Sequence, residues 1–241
     1  MSVTQHYREA WEGFWREAPQ EPGSVLWDAE PDVTAAAHVP LFTPHLLDPG
    51  LPLIDLGCGN GTQTRFLATR FTRVLGVDLA EAALEHARRA DPEGRAEYRF
   101  LDAVDRDAAE RLHDELGDAN VYMRGLLHQC GPEDRGPLTE AVAALLGARG
   151  RVFLVEPSEE AGAILGGLAR RPEGPPPKVA PIFRHGIAPG AVSDAAVPGH
   201  LTSAGLTVLA LGQAPLTTTE HTADGALIVL PSRWAVAGRT A

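Results

Sequence analysis

Short apolar runs alternate with amphipathic segments through the middle of the chain. The apolar runs are four to six residues long, and the segments between them are rich in Ala, Leu, Glu and Arg. Runs of this length predict buried strands, and the longer amphipathic segments predict helices. Their regular alternation predicts a parallel sheet with helices on both faces. The predicted strands are 51–56, 73–77, 97–101, 120–123 and 151–155, and the helices are 62–70, 81–90, 108–116 and 137–147.

The two ends of the chain depart from this alternation. Residues 4–17 predict a helix with an aromatic face, and a second helical stretch falls within 31–48, so we assign residues 1–48 to an N-terminal helical cap. Residues 157–200 form a long connection after the fifth strand, with helices predicted at 158–170 and 193–204. A connection this long within one domain is usually functional. We expect it to be an insertion that covers the substrate.

Two further apolar runs, 206–211 and 226–230, predict a closing hairpin. The expected fold is therefore α/β, with a doubly wound, mostly parallel sheet of seven strands. Residues 49–241 would form its core, including the insertion after strand five.

Composition narrows the function. The chain has 241 residues, a net charge of −11 and one lysine, Lys178. Binding to nucleic acid relies on clustered Lys and Arg, so we expect no nucleic-acid partner. The two cysteines, Cys58 and Cys130, give neither a disulfide framework nor a zinc-ligand spacing. No segment has the length of a membrane span or the pattern of a signal peptide, so we expect a cytoplasmic protein with no membrane partner.

The most informative segment runs from Leu53 to Thr62, with the sequence LIDLGCGNGT. An apolar strand ends near Asp55, and three glycines follow at alternate positions before a helix begins. Glycine allows positive φ and lets a ligand approach the main chain closely. The N-terminus of the helix offers unpaired N–H groups. A carboxylate at the strand end would repel a pyrophosphate but would suit a cationic ligand.

This motif, together with the acids that follow the next two strands, resembles class I S-adenosylmethionine-dependent methyltransferases, whose first motif reads D-x-G-x-G-x-G. The resemblance covers residues 51–130 and implies S-adenosylmethionine as the cofactor. It implies that Asp78 and Leu79 bind the ribose, and that Asp102 and Ala103 contact the adenine amino edge. It places the methionine end of the cofactor at the glycine turn, with Asp55 in support; the turn residues are Gly57, Cys58, Gly59 and Gly61.

Two other functions remain open at this point. A dinucleotide-binding oxidoreductase would show G-x-G-x-x-G, but Thr62 stands where the third glycine would fall. A non-catalytic S-adenosylmethionine-binding module would share the motif without turnover. Metal-dependent methyltransferases of the catechol type need acids where this chain has Arg124 and a Glu156–Pro157 pair. We therefore expect no metal.

Candidate catalytic residues follow the fourth strand. His128 can accept a proton near neutral pH, and His38 in the cap segment is the second candidate base. Arg124 would pair with a substrate carboxylate or the cofactor, or close a structural ion pair. Glu156 would orient a substrate or neutralise Arg124. Trp27 would contact the cofactor sulfonium through a cation–π interaction, although simple core packing is the alternative for the aromatic residues of the cap.

The expected function is methyl transfer to a small organic acceptor. Oxygen is the preferred acceptor atom because candidate bases are present, and nitrogen and carbon remain alternatives. The Ala-, Gly- and Arg-rich composition and the insertion suggest bacterial natural-product biosynthesis. The expected assembly is a monomer or a homodimer.

Overall fold

The structure is a computed structural model. It describes residues 3–170, 174–187, 190, 192–222 and 225–240, with the side chains of residues 3–6 and 169 outside that description. Parts of the predicted insertion therefore lie outside the described residues.

Within the described residues, seven strands form one sheet in the order β3-β2-β1-β4-β5-β7-β6. The first five pair in parallel, and β7 pairs antiparallel with both β5 and β6. The seven-stranded, doubly wound prediction is confirmed. The strands are β1 (Leu53–Leu56), β2 (Val74–Asp78), β3 (Glu97–Phe100), β4 (Asn120–Arg124), β5 (Arg151–Pro157), β6 (Thr207–His221) and β7 (Leu227–Gly238).

Helices connect the parallel strands, as predicted. The cap segment contributes α1 (Val3–Glu17) and α2 (Ala35–Phe42), and three helices lie between β5 and β6. One of these, α8, was not predicted, because five residues are too few to show a helical period. The remaining helices are α3 (Thr62–Leu67), α4 (Glu81–Ala90), α5 (Arg106–Leu116), α6 (Arg135–Leu146), α7 (Glu159–Ala169), α8 (Ala180–Arg184) and α9 (Ala196–Ser203).

The strand residues alternate between two buried faces. Ile54, Val121 and Val152 belong to one core with residues of α5, α6 and α9. Their neighbours Leu53 and Tyr122 belong to a second core with residues of α2 and α3. Side chains of a strand point to opposite faces in turn, and a parallel sheet buries both of them.

The boundary between the N-terminal cap and the core at residues 48 and 49 stays a prediction, as do the limits of the insertion.

The closing hairpin is longer than predicted. The predicted strands 206–211 and 226–230 are observed as β6 and β7, which continue through the Thr-rich stretch up to His221 and through Pro231 to Gly238. The extension was not predicted because it contains Pro215 and Pro231, and proline normally argues against a central strand. Pro231 is tolerated because it lies opposite Pro215 of the edge strand, beyond the last residue that pairs with β5. The hairpin thus projects past the sheet.

In the described part of the chain, both cysteines are free, and none of the helices combines the length and the apolar character needed to cross a bilayer.

Candidate active site

Strands β2 and β4 lie on opposite sides of β1, so the chain runs outward from β1 in both directions across the sheet. A crevice opens at the carboxyl ends of the strands at such a switch point. The glycine turn lies there. Gly57 and Cys58 both donate backbone hydrogen bonds to the carbonyl of Val77, at 2.9 and 3.0 Å. Gly59 has a φ of +56°, and a Cβ on it would lie 2.9 Å from the Trp15 ring. A larger residue at Gly59 would therefore be strained and would fill the space above the turn.

Asp78 lies beside this turn at the end of β2. Its carboxylate accepts hydrogen bonds from the backbone N–H groups of Gly59 and Ala80, both at 2.9 Å. Burial raises the pKa of Asp78 to about 6, although these hydrogen bonds oppose the rise. A carboxylate has about four acceptor positions. Two remain for a ligand, which fits a pair of ribose hydroxyls.

Two other buried carboxylates lie near Asp78. Asp55 accepts a 2.6 Å hydrogen bond from the Thr64 hydroxyl, and burial raises the pKa of Asp55 to about 6. Asp28 accepts from the side-chain amide of Asn60 at 2.9 Å and was not anticipated from the sequence. All three acids line one cavity. An open cavity surrounded by buried carboxylates suits a cationic ligand.

The cavity has a volume of about 520 Å³. Of the residues predicted from the sequence, its wall includes Asp55, the first three turn residues, Asp78, Leu79, Arg124, His128 and Trp27. Gly61, Asp102 and Ala103 lie outside the described wall. Asp102 instead accepts the backbone N–H of Val104 at 3.1 Å, beyond the end of β3. A contact between Asp102 or Ala103 and the cofactor stays a prediction.

Arg124 does not form the structural ion pair with Glu156 in the described part of the chain, and its pairing with a substrate carboxylate stays a prediction. Its guanidinium donates to the backbone carbonyl of Trp27 at 2.9 Å. This bond ties the cap segment to the end of β4. Trp27 in turn packs against Phe14 and Trp11, with ring centroids 5.2 and 5.3 Å apart. The aromatic residues of the cap thus form a packed cluster that also reaches the cavity wall.

Glu156 instead holds His128. One carboxylate oxygen accepts from the backbone N–H groups of Leu126 and Leu127, both at 2.9 Å. The other accepts from the N–H of His128 at 3.2 Å and lies 2.7 Å from its Nδ1 atom. Glu156 is 1% exposed, so this arrangement is shielded from water. This role could not be predicted from the sequence, because two residues 28 apart in the chain leave no local pattern.

The protonation of His128 follows from these contacts. Because the carboxylate of Glu156 accepts, Nδ1 carries a hydrogen, and in the neutral imidazole the lone pair is therefore on Nε2. Nε2 lies 2.8 Å from the side-chain amide nitrogen of Gln129, which donates to it. His128 and Gln129 both line the cavity. The arrangement can accept a proton from a hydroxyl that displaces Gln129 from Nε2.

His38 is placed differently from the prediction. Its Nδ1 atom lies 2.9 Å from the hydroxyl of Tyr122, and it is 1% exposed. Tyr122 lines the cavity, whereas His38 does not belong to the described wall. Burial, with the nearby charge of Arg124, lowers the pKa of His38 to about 4. This geometry does not support direct proton transfer from an acceptor to His38.

Comparisons with known proteins agree with this site. Residues 53–150 match the family described as "Methyltransferase domain". A crystal structure of an S-adenosylmethionine-dependent methyltransferase from Anabaena variabilis is 32% identical, with a TM-score of 0.89, and the match covers 100% of this chain and 96% of that one. The chain therefore belongs to the class I S-adenosylmethionine-dependent methyltransferases, and its cofactor is S-adenosylmethionine.

Other relatives differ in their reactions. A ubiquinone biosynthesis O-methyltransferase from Leptothrix cholodnii is 42% identical over 111 residues, which is 44% of this chain and 43% of that protein. The match thus spans less than half of that curated relative. A geranyl diphosphate C-methyltransferase from Streptomyces coelicolor, in complex with S-adenosylhomocysteine, has a TM-score of 0.61 at 15% identity, over 97% of this chain and 98% of that one. It shares the fold.

Proposed function

We propose that the protein transfers the methyl group of S-adenosylmethionine to a hydroxyl oxygen of a small organic acceptor, without a metal. The contact between His128 Nδ1 and Glu156, at 2.7 Å, carries this proposal. It places the lone pair of His128 on Nε2, where a hydroxyl that displaces the Gln129 amide can give up its proton. A hydroxyl acceptor needs such a base, and a carbanion-like or tertiary amine acceptor does not. The O-methyltransferase from Leptothrix cholodnii supports the same choice of atom.

We assign the cofactor to the half of the cavity that holds the glycine turn. When bound, it supplies an electrophilic methyl group on a sulfonium sulfur. Asp78 would bind the ribose hydroxyls through its free acceptor positions, and Asp55 would support the cationic end. Trp27 and Arg124 would complete the wall where the two halves meet. The remaining assigned contacts are Gly57, Cys58, Gly59, Gly61, Leu79, Asp102 and Ala103.

His128 would act as the general base. Glu156 holds the imidazole by Nδ1 and fixes the backbone of residues 126–128, so the lone pair of Nε2 keeps one direction. As the acceptor oxygen loses its proton to Nε2, the carboxylate stabilises the imidazolium that forms. Alignment of the acceptor by the cavity wall supplies the rest of the rate enhancement.

The wider setting that we propose is a cytoplasmic enzyme of bacterial natural-product biosynthesis. The Arg-rich composition and the long connection after β5 support it. A non-catalytic binding module would have no use for an imidazole held by Glu156 with its second nitrogen in the cavity wall, whereas a general base needs both features.

The test is the substitution His128→Gln. We expect turnover of a hydroxylated acceptor to fall by about 10²- to 10⁴-fold, while S-adenosylhomocysteine binds as in the wild type. His221→Gln, at an exposed position of β6, serves as the control and should leave both unchanged. Unchanged turnover in His128→Gln would refute the role of His128 as the base. If the wild-type protein binds the cofactor but methylates no hydroxyl, amine or carbon acceptor, the non-catalytic module would be favoured.

A further inference from the structure

The half of the cavity away from the glycine turn has an apolar wall. The wall comes from three parts of the chain that lie after β5: helix α7, the segment around α8, and the projecting end of the hairpin. Its large apolar residues are Leu165, Val179, Ile182, Phe183, Val192, Leu216 and Leu230, joined by Leu26 of the cap segment. An apolar wall favours a ligand that is itself apolar, because binding removes the apolar surfaces of both from water.

Helix α7 leaves a flat strip in this wall. Gly162 and Gly166 both line the cavity, and their spacing of four places them on one face of the helix. A Cβ on Gly162 would meet no atom within 4 Å, so open space lies in front of it. At Gly166 the nearest atoms belong to the guanidinium of Arg170, 3.2 Å from the position of a Cβ. A flat molecule can therefore approach the backbone of α7 at Gly162, and at Gly166 it would stack on or displace the exposed Arg170 guanidinium.

The charged groups of this half are few. The carboxylate of Glu159 lines the cavity and accepts the backbone N–H of Asp194 at 3.2 Å. The hydroxyl of Thr218 donates to the carbonyl of Ile228 at 2.8 Å. Two further polar side chains of the described residues belong to the wall: Arg170, exposed at the end of α7, and Ser158, whose buried Oγ has no hydrogen-bond partner. His128 and Gln129 offer polar atoms to the acceptor's reacting end where the two halves meet.

From this arrangement we infer that the acceptor is a flat, largely apolar phenol or enol whose ring lies on the Gly162–Gly166 face of α7 with its hydroxyl directed to His128. This inference rests on the proposed function. A neutral imidazole removes a proton more readily from a phenolic or enolic hydroxyl than from an aliphatic alcohol, because the acidities are better matched. We expect the molecule to be largely apolar because the wall is apolar, and we expect it to be flat because the glycine face has no side chains.

The test compares two substitutions on one helix, Gly162→Leu and Gly167→Leu. A Cβ at Gly167 also meets no atom within 4 Å, but Gly167 does not line the cavity. Titration calorimetry would measure the binding of 2-naphthol to the full chain saturated with S-adenosylhomocysteine. We expect Gly162→Leu to weaken 2-naphthol binding by about tenfold or more and to leave S-adenosylhomocysteine affinity within about twofold, because the new side chain fills the strip. Gly167→Leu should change neither affinity.

Equal weakening of 2-naphthol binding in both variants, or in neither, would overturn the inference. Wild-type protein that does not bind 2-naphthol, or that binds catechol-4-sulfonate more tightly, would also overturn it. The proposed function fails separately: if 2-naphthol binds and Gly162→Leu excludes it, but no phenol is methylated, the glycine face stands as a binding site and O-methylation is refuted.

Discussion

The two halves of the cavity are built in different ways. At the glycine turn, Asp78 and Asp55 are held by hydrogen bonds from residues of the same or the neighbouring element, such as Gly59 and Thr64. In the acceptor half the wall is apolar and is assembled from segments separated by up to about 200 residues, Leu26 and Leu230 among them. In the proposed assignment, the first half would recognise the charge and hydroxyl groups of the cofactor, and the second would recognise the shape of the acceptor.

This difference explains which substitutions should separate cofactor binding from acceptor binding. Polar contacts in the first half are few and strong, so removing one should act on the cofactor alone. The apolar wall contributes many weak contacts, so a change there should act on the acceptor and depend on its size.

The largest effect should come from Asp78→Ala. It removes the acceptor of the ribose hydroxyls, and hydrogen bonds to a charged group are each worth about 1.5–3 kcal/mol, so S-adenosylhomocysteine affinity should fall by about 10²-fold or more. Calorimetry would measure it, with Asp107→Ala, at an exposed position of helix α5, as the control. A folded Asp78→Ala protein that binds with wild-type affinity would show that the ribose lies elsewhere.

Glu156→Gln should have the next largest effect, and it bears on the junction of the two halves. The amide cannot accept from His128 and three backbone N–H groups through both of its terminal atoms, so the imidazole loses its fixed direction. We expect kcat to fall by about 10- to 100-fold and the pH profile of kcat/KM to shift, with cofactor affinity retained. Because Glu156 acts through His128, the double variant with His128→Gln should be no slower than His128→Gln alone. If the losses of kcat in the two single variants add up in the double variant, Glu156 has a structural role that is separate from His128.

The sequence predicted the first half of the site better than the second. The turn from Gly57 to Gly61 and the acids after β1 and β2 are contiguous with their own strands, so the alternation that predicts each strand also places each acid at its end. The contact between Glu156 and His128 depends on the parallel pairing of β4 with β5, and no local pattern encodes it. Of the two roles predicted for Glu156, an ion pair with Arg124 is not seen among the described residues, where Arg124 donates to the carbonyl of Trp27, and orientation of a substrate stays a prediction.

The fold shows the same limit. The parallel core was predicted strand by strand, whereas β6 and β7 were predicted too short. Their extensions combine Thr and Gly with Pro215 and Pro231, and pairing with each other and, for β7, with β5 makes them strands. Part of the acceptor wall comes from the hairpin, with Leu216 in the extension of β6 and Leu230 in the predicted part of β7. The position of Leu216 in the wall could therefore not be predicted from the sequence.

A third, smaller effect concerns His38, which lies behind the cavity rather than in either half. Its pKa is lowered from 6.5 to about 4, so the folded protein keeps it neutral while the unfolded chain protonates it. Stability that depends on the neutral imidazole is present above pH 6.5 and is lost as the pH falls toward 4. Between pH 7 and pH 5 the loss from this residue is about 2 kcal/mol. Urea unfolding of wild type and His38→Gln at both pH values should show a smaller loss in the variant, and identical losses would contradict the burial of an unprotonated His38.

The smallest effect is a pH dependence of cofactor affinity that the acceptor half should not share. The pKa of Asp78 is raised to about 6, so the free protein binds a proton there as the pH falls below that value. The carboxylate form has the acceptor positions for two hydroxyls, and therefore S-adenosylhomocysteine affinity should weaken by about tenfold from pH 7 to pH 5 and reach a plateau above pH 7. Asp78→Asn should bind weakly but with little change over the same range. The affinity of 2-naphthol for the complex saturated with S-adenosylhomocysteine should follow the same pH profile in wild type and Asp78→Asn, because the 2-naphthol hydroxyl contacts His128 and not Asp78. A pH dependence that survives in Asp78→Asn would transfer the effect to Asp55, whose pKa is also raised to about 6, and would make Asp55 rather than Asp78 the carboxylate on which cofactor binding depends.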